Sequence, residues 1–392
     1  MTDFNALEAD MTLWRRHLHA HPELGFNERQ TAQFVAERLR AFGFADVCEG
    51  VGGTGVVASL RRGRSPRAIA LRADMDALKI AERAPRAYRS GNDGVMHACG
   101  HDGHTALLLG AAKILAEEGG FDGVVRFIFQ PAEEWGQGAL AMLNDGLLER
   151  FPFEEIYGLH NMPGYPLGQL HFKTGAAMSA EDNFEITLRG KGGHSSRPQA
   201  GRETLVAACS LVLELQTIVA RRIDPGETAV VSVTELTTDG VRNVLPGLAC
   251  VRGDVRTFNS EVSAIIETEL RRIANGVALA YDVAADVTYT REFIPLINDE
   301  TCVKHARAAA AAVVGHDRVA LDARPITASE DFARFLTHRP GCFAFLGNGL
   351  GSPPLHNDGY DFRDELLLDG ARFLAEIARQ RLPVETDLTG SH

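Results

Sequence analysis

Runs of strand-forming apolar residues alternate with runs of helical periodicity through the first half of the chain, and this alternation most limits what it can fold into. Residues 30–42 carry a helical pattern, while "GVVASL" (55–60) and "AIALRAD" (68–74) are of strand length and mostly apolar. "HTALLLGAAKILAEEG" (104–119) is a helix closed by glycine, followed by the strands "GVVRFIFQ" (123–130) and "EIYGLH" (155–160). Strands this apolar need cover on both sides, which predicts an α/β fold with a central sheet and helices on both faces. Ahead of it, Phe4, Leu7, Met11, Trp14 and Leu18 recur at helical spacing and predict an amphipathic first helix.

The pattern changes near residue 181. "NFEITLRG" (183–190) alternates as a half-buried strand does, with Phe184, Ile186 and Leu188 on one face. A helix over 203–222 follows, then strands "TAVVSVTEL" (228–236) and "GLACVRGDVRTF" (247–258), a helix from Ser260 to Ala274, and the strand "YDVAADVTYT" (281–290). Strand–helix–strand–strand–helix–strand is the order of a ferredoxin-like α+β layer. After Pro295 the αβ character returns: helices over 300–314 and 329–337, the strand "CFAFLG" (342–347) and a last helix over 364–381. At 392 residues the chain is too long for one core. It reads as a domain over 1–180 and 294–392 with a second domain, 181–293, inserted in it.

Charge and composition exclude several functions. With 40 Lys and Arg against 52 Asp and Glu, the formal charge of −12 argues against a nucleic-acid binder. No apolar run approaches the ~18 residues of a membrane span, and the N-terminus lacks the apolar core of a signal peptide. Six scattered cysteines (Cys48, Cys99, Cys209, Cys250, Cys302 and Cys342) do not form a disulfide framework, and cytoplasmic residence is the simplest expectation. Gly50, Gly52 and Gly55 match a dinucleotide fingerprint, but they lead into the strand "VVASL" where that motif requires a helix, so a turn is expected.

The chemistry concentrates in "MHACGHDGHT" (96–105), which packs His97, Cys99, His101, Asp102 and His104 into ten residues. Two positions apart, Cys99 and His101 would not share a helix face. They can converge from a loop ahead of a helix that starts near His104. Taken singly, each is more simply a buried thiol or a capping histidine. Their density, with other candidates at strand ends, favours a metal. "RFIFQPAEEWG" ends an apolar strand with the pair Glu133–Glu134, at the strand end where open α/β sheets bind ligands. His160 ends the strand "EIYGLH", and His356 lies in the loop "PPLHNDGYDF".

Ordered motifs along nearly the whole chain resemble the M20 metallopeptidase family. The likeness is to its D branch of hippurate hydrolases, N-acyl-amino-acid amidohydrolases and auxin-conjugate hydrolases. These motifs are "RRHLHAHPELGFNE" (15–28), "LRADMDAL" (71–78), "MHACGHDGHT", "FQPAEE" (129–134), "GLHNMP" (158–163), "GKGGHSSRP" (190–198), "NVLPG" (243–247), "GDVRTF" (253–258), "SEDFA" (329–333) and "LHNDGYDF" (355–362). The resemblance implies two divalent metal ions in a cleft between a catalytic domain and a smaller lid that also dimerises. Cys99, His101, Glu134, His160 and His356 are then the ligands, with Cys99 bridging, and Glu133 is the general base. Zn²⁺ or Mn²⁺ suits this donor set best and Co²⁺ or Ni²⁺ also fits; the thiolate tilts the choice toward Zn²⁺. Where other branches have His-x-Asp this chain has Arg72-Ala73-Asp74, which leaves Asp74 behind the ligands. Lys79 stands where the D branch often has proline. His194 is implied to polarise the scissile carbonyl from the neighbouring subunit, and Asn243 and Arg256 to hold the substrate. Unaided, the residues themselves read His194 as a surface histidine, and they leave Arg256 to either an internal carboxylate or an anionic substrate. "SEDFA" receives no role.

The expected activity is hydrolysis of an N-acyl amino acid, hippurate-like or N-acetylated, to a carboxylic acid and a free amino acid. The partner is this small molecule alone, in a homodimer or a higher homo-oligomer. The rivals are a metallocarboxypeptidase or dipeptidase with the same site, and a silent binding protein with the same fold.

Overall fold

Strand Ala68–Asp74 is buried along its whole length because it lies inside a sheet rather than at its edge. It pairs in parallel with Gly123–Gln130 on one side and Glu155–Pro163 on the other. In the computed structural model, which describes residues 2–320 and 323–384, these form the centre of an eight-stranded mixed sheet. Gly341–Gly349 continues the parallel set beyond Glu155–Pro163. Gly55–Arg62 and Asp46–Val51 pair antiparallel on the other flank.

One face of the sheet carries Ile69, Leu71, Phe127, Phe129, Tyr157 and Leu159 into the main core, with Leu7 and Met11 of helix Phe4–Ala20, Leu107 of His101–Glu118, Val303 of Glu300–Val314 and Leu374 of Leu367–Arg381. On the other face Phe332 packs against Phe343 with ring centres 5.0 Å apart and the rings tilted, and helix Gly138–Asn144 packs against Gly123–Gln130 and Ala333–Leu336. Helices therefore cover both faces. The three glycines of the false dinucleotide motif belong to a β-hairpin: Gly52 and Gly53 turn at φ 66° and 107° between the antiparallel strands Asp46–Val51 and Gly55–Arg62.

The chain separates into two compact units, and the one just described holds the residues up to Gly175, Ile297–Arg324 and those from Asp331 onward. The other holds Ala176–Leu296 and Pro325–Glu330. It is a four-stranded antiparallel sheet in the order Ala229–Thr238, Leu248–Thr257, Ala180–Arg189, Ala284–Phe293, which is the strand order of a ferredoxin-like layer. Phe184, Ile186 and Leu188 enter its core beside Leu211 and Ile266.

Some elements depart from the sequence expectation. The helix expected over 203–222 is two helices, Thr204–Leu215 and Thr217–Arg222. The Thr217 hydroxyl donates to the Glu214 carbonyl at 2.7 Å, a side-chain bond that competes with the helical ladder. Helix Ser260–Tyr281 runs past Ala274 to a left-handed Asp282. The helix expected over 329–337 is only Ala333–Leu336, because the Asp331 carboxylate is engaged by Arg72, Gln130 and the Ala139 amide.

Candidate metal centre

The strand order sets the site. From Ala68–Asp74 the chain moves to Gly123–Gln130 on one side and then to Glu155–Pro163 on the other, so the carboxyl ends of these strands open at a topological switch point. Asp74, the turn after Gln130 and the His160 region all lie at that end. Helix His101–Glu118 starts there too, three residues earlier than the sequence suggested, behind Gly100 in a left-handed conformation at φ 93°. A side chain at residue 100 would run into Asn161 Oδ1 and the Tyr360 hydroxyl. Glycine therefore lets Cys99 and His101 flank a sharp corner and converge.

The ligand atoms of Cys99, His101 and His160 lie within 4.8 Å of one another, and so do those of Cys99, Glu134 and His356 and those of His101, Glu133 and Glu134. Cys99 and His101 are buried, and His356 is half exposed at the rim with Nε2 3.5 Å from Glu134. Its backbone sits at φ 62° and its amide donates to Ala98 at 2.8 Å, tying the 356 loop to the segment before Cys99.

Hydrogen bonds fix which imidazole nitrogens are free. His101 Nδ1 is 2.9 Å from the Asp76 carbonyl and His160 Nδ1 is 2.6 Å from the Asn161 carbonyl. A carbonyl only accepts, so both Nδ1 atoms carry hydrogen and a neutral ring leaves its Nε2 lone pair free, as metal-bound histidines do. His160 Nε2 faces Cys99 Sγ at 3.3 Å. His101 Nε2 and Glu134 Oε1 are buried without a hydrogen-bond partner among the described residues, so the donors present fit a metal. His104 differs: Nδ1 is 2.7 Å from Asp74 and Nε2 meets Asn161. Both its nitrogens are engaged.

The electrostatics favour a cation at this point. Burial pushes the Cys99 thiol well up, and the Glu134, Glu133 and Asp74 charges push it further. Burial alone would depress His101, but Asp74, Asp76 and Glu134 outweigh it and raise its pKa to about 10. His160, buried beside His104, is driven well below the usual range. His97 is held down to about 3 chiefly by burial and stays neutral.

Asp76, which the motifs did not single out, and Asp74, expected behind the ligands, complete the centre. Asp76 accepts the Glu134 amide at 3.0 Å while holding His101. Asp74 is bound by Arg72 at 2.8 Å and by His104. The only sequence signal for Asp76 was a second acid two residues beyond the strand end. Asn243 and His194 come together in the smaller unit: His194 pairs with Val244, and the Ser195 amide donates to the Asn243 carbonyl at 3.1 Å. Arg256 lies apart, with Nε on Asp254 at 2.9 Å and Nη1 on Glu181 at 2.7 Å and on Ser329 at 2.8 Å.

A profile of peptidase family M20/M25/M40 matches residues 70–380. The chain belongs to this family. Over 376 residues this M20 chain is 39% identical to the hippurate hydrolase of Campylobacter jejuni, covering 96% of this chain and 97% of that one. It is 37% identical over 381 residues to an N-acetyl-L-cysteine deacetylase of Bacillus subtilis, covering 97% and 90%. The crystal structure of a dinuclear metal-binding peptidase of the M20 family from Bacillus subtilis superposes with a TM-score of 0.85 at 33% identity, covering 97% and 99%. Among its described residues no helix of the M20 chain is long and apolar enough to cross a membrane.

Proposed function

We propose that this M20 chain is a dinuclear metal-dependent amidohydrolase that cleaves N-acyl amino acids to a carboxylic acid and a free amino acid. The observation that carries the reading is the convergence of two ligand groups, Cys99–His101–His160 and Cys99–Glu134–His356, on one thiol. Those five residues would hold two divalent ions, Zn²⁺ or Mn²⁺ first and Co²⁺ or Ni²⁺ as alternatives, and Cys99 belongs to both groups. When bound, such ions acidify water and polarise an amide carbonyl. Glu133, 6% exposed and 3.9 Å from His101 Nε2, is assigned the proton: it takes it from water and returns it to the leaving nitrogen.

The substrate class follows from what the relatives' substrates share. Hippurate and N-acetylcysteine are both α-amino acids with a free carboxylate and an acylated nitrogen. His194 Nδ1 accepts the Ser196 amide at 3.1 Å, so a neutral ring carries its proton on Nε2. That tautomer suits a donor to a developing oxyanion, and we assign His194 this role in the neighbouring subunit. Asn243 beside it is assigned to the substrate, as is Arg256, whose bonds to Glu181, Asp254 and Ser329 use Nε and Nη1 among the described residues. A homodimer is supported by the exposed Leu205, Val206 and Leu213 on helix Thr204–Leu215 and by the edge strand Ala229–Thr238. Cytoplasmic residence is supported by six unpaired cysteines.

The test is chromatography of products from metal-loaded protein on N-benzoyl, N-acetyl and dipeptide substrates. Release from acyl amino acids supports the reading. Release from dipeptides alone makes it a dipeptidase or carboxypeptidase, and binding without release makes it a silent relative. Cys99→Ser and His356→Ala should each lose metal with activity; full occupancy in both, by metal analysis, removes them from the ligand set.

A further inference from the structure

Glu28 is fully buried, and an acidic side chain there needs a reason. It stands at the start of helix Arg29–Ala41 without capping it. Its carboxylate instead reaches across the sequence: Oε1 accepts the backbone amide of Ala132 at 2.8 Å, and Oε2 takes the Thr54 hydroxyl at 2.5 Å. Ala132 is the residue immediately before Glu133 and is held at φ 48°, a left-handed conformation costly for alanine. A strained backbone persists only where its surroundings impose it.

The rest of this segment closes on the same turn. Gly25 approaches so closely that a Cβ there would stand 3.0 Å from the Ala132 Cβ and 3.2 Å from Trp135. Phe26, itself left-handed at φ 57°, packs edge-on against Trp135 with ring centres 5.9 Å apart. Glu134 has a separate anchor, since its amide goes to Asp76 at 3.0 Å. The backbone amides on either side of Glu133, those of Ala132 and Glu134, are thus held by different carboxylates.

We propose that Glu28 is a positioning residue for Glu133: it holds Ala132 left-handed and so aims the Glu133 carboxylate. This rests on Glu133 being the general base. Burial and the nearby Asp76 charge, partly offset by the Thr54 and Ala132 bonds, raise the Glu28 pKa to about 7, so glutamine is a close stand-in. The role requires an acceptor at the reach of a glutamate, with or without its charge.

The test compares Glu28→Ala, Glu28→Gln and Glu28→Asp in the metal-loaded enzyme, with kcat, KM and metal content measured for each. Glu28→Ala should lower kcat by roughly tenfold to a hundredfold, the scale set by misplacing a reacting group, with KM within about threefold and both ions retained. Glu28→Gln should stay within about fivefold of wild type, whereas Glu28→Asp, whose carboxylate is one methylene short, should fall toward the alanine value. In a Glu133→Gln background the same Glu28→Ala change should alter the residual rate by less than about twofold, because coupled residues are not additive. Unchanged kcat in Glu28→Ala, aspartate outperforming glutamine, metal loss that excess metal cures, or a full additive loss in the Glu133→Gln background would each overturn the proposal. Should Glu28→Ala not fold, the aspartate–glutamine order decides alone. A fully active Glu133→Gln control would instead sink the base assignment, which separates that failure from this one.

Discussion

At the scale of single residues, a histidine's role at this centre is read from the partner of its Nδ1. His101 and His160 give that hydrogen to backbone carbonyls and turn Nε2 toward the cluster, where that of His160 meets the Cys99 thiol, whereas His104 spends both nitrogens on Asp74 and Asn161. Glu133 and Glu134 are adjacent yet differently held, and their substitutions should differ too. Glu133→Gln is expected to keep both metals and lose about 10²–10⁴ in turnover, while Glu134→Gln loses metal first; metal analysis beside steady-state kinetics checks this, and reversed phenotypes would exchange the roles. Behind the centre, His19 is buried between Asp102 at 2.8 Å and Glu82 at 3.3 Å. Burial alone would lower its pKa, but the two hydrogen bonds outweigh it and raise it to about 9. A histidine whose folded pKa exceeds its unfolded value, near 6.5, stabilises the fold fully below about pH 6.5 and loses that contribution as pH rises through about 9. Wild type should therefore lead His19→Gln by a margin that shrinks on the order of 3 kcal/mol between pH 6 and 10, measured by urea unfolding. A margin independent of pH would mean that His19 carries no charge.

At the scale of elements, the decisive joint is the start of helix His101–Glu118. Its first residue is a candidate ligand, and the residue before it is left-handed Gly100, packed against Asn161 and Tyr360. Gly100→Ala should cost at least about 1–2 kcal/mol from the backbone conformation alone. The added methyl also has no room, so Cys99 and His101 should move apart and metal occupancy should fall. Calorimetry and metal content check this together: a variant with wild-type melting temperature and full metal would show the corner to be unimportant. The turn from Gln130 to Ala139 is fastened by three carboxylates, with Glu28 on the Ala132 amide, Asp76 on the Glu134 amide and Asp331 on Gln130 and the Ala139 amide. A short segment bearing two adjacent acids, Glu133 buried and Glu134 partly so, needs such fastening, because their mutual repulsion favours opening it.

At the scale of the whole molecule, the proposed working unit is larger than one chain. His194 is exposed on a two-residue strand of the smaller unit, with Nδ1 accepting the Ser196 amide. Deleting an oxyanion donor costs roughly 10²–10³ in turnover and should leave metal content untouched. If it acts in trans, mixing inactive His194→Ala with inactive Glu133→Gln gives hybrid dimers with one site carrying both lesions and one carrying neither. Activity should return to at most about a quarter of wild type after random exchange of a symmetric dimer. Subunit exchange demonstrated by mass, with no recovered activity, would refute the trans assignment.

Much of this was legible in the chain because it depends on local periodicity and on side-chain chemistry. The apolar runs placed the central strands, the alternation of Phe184, Ile186 and Leu188 placed the core face of the smaller sheet, and one thiol among dense imidazoles and acids marked a candidate metal centre. What the sequence could not decide is which atom faces which. That Asp76 rather than Asp74 serves both His101 and Glu134, that His104 is fully engaged, that Glu28 reaches Ala132, and that Arg256 is met by Glu181 and Asp254 all depend on contacts between residues distant in the chain or on φ angles near a corner. Periodicity reports which way a side chain points relative to its own element. Only packing those elements together brings the hydrogen-bond partners within 3 Å and so chooses each side chain's role.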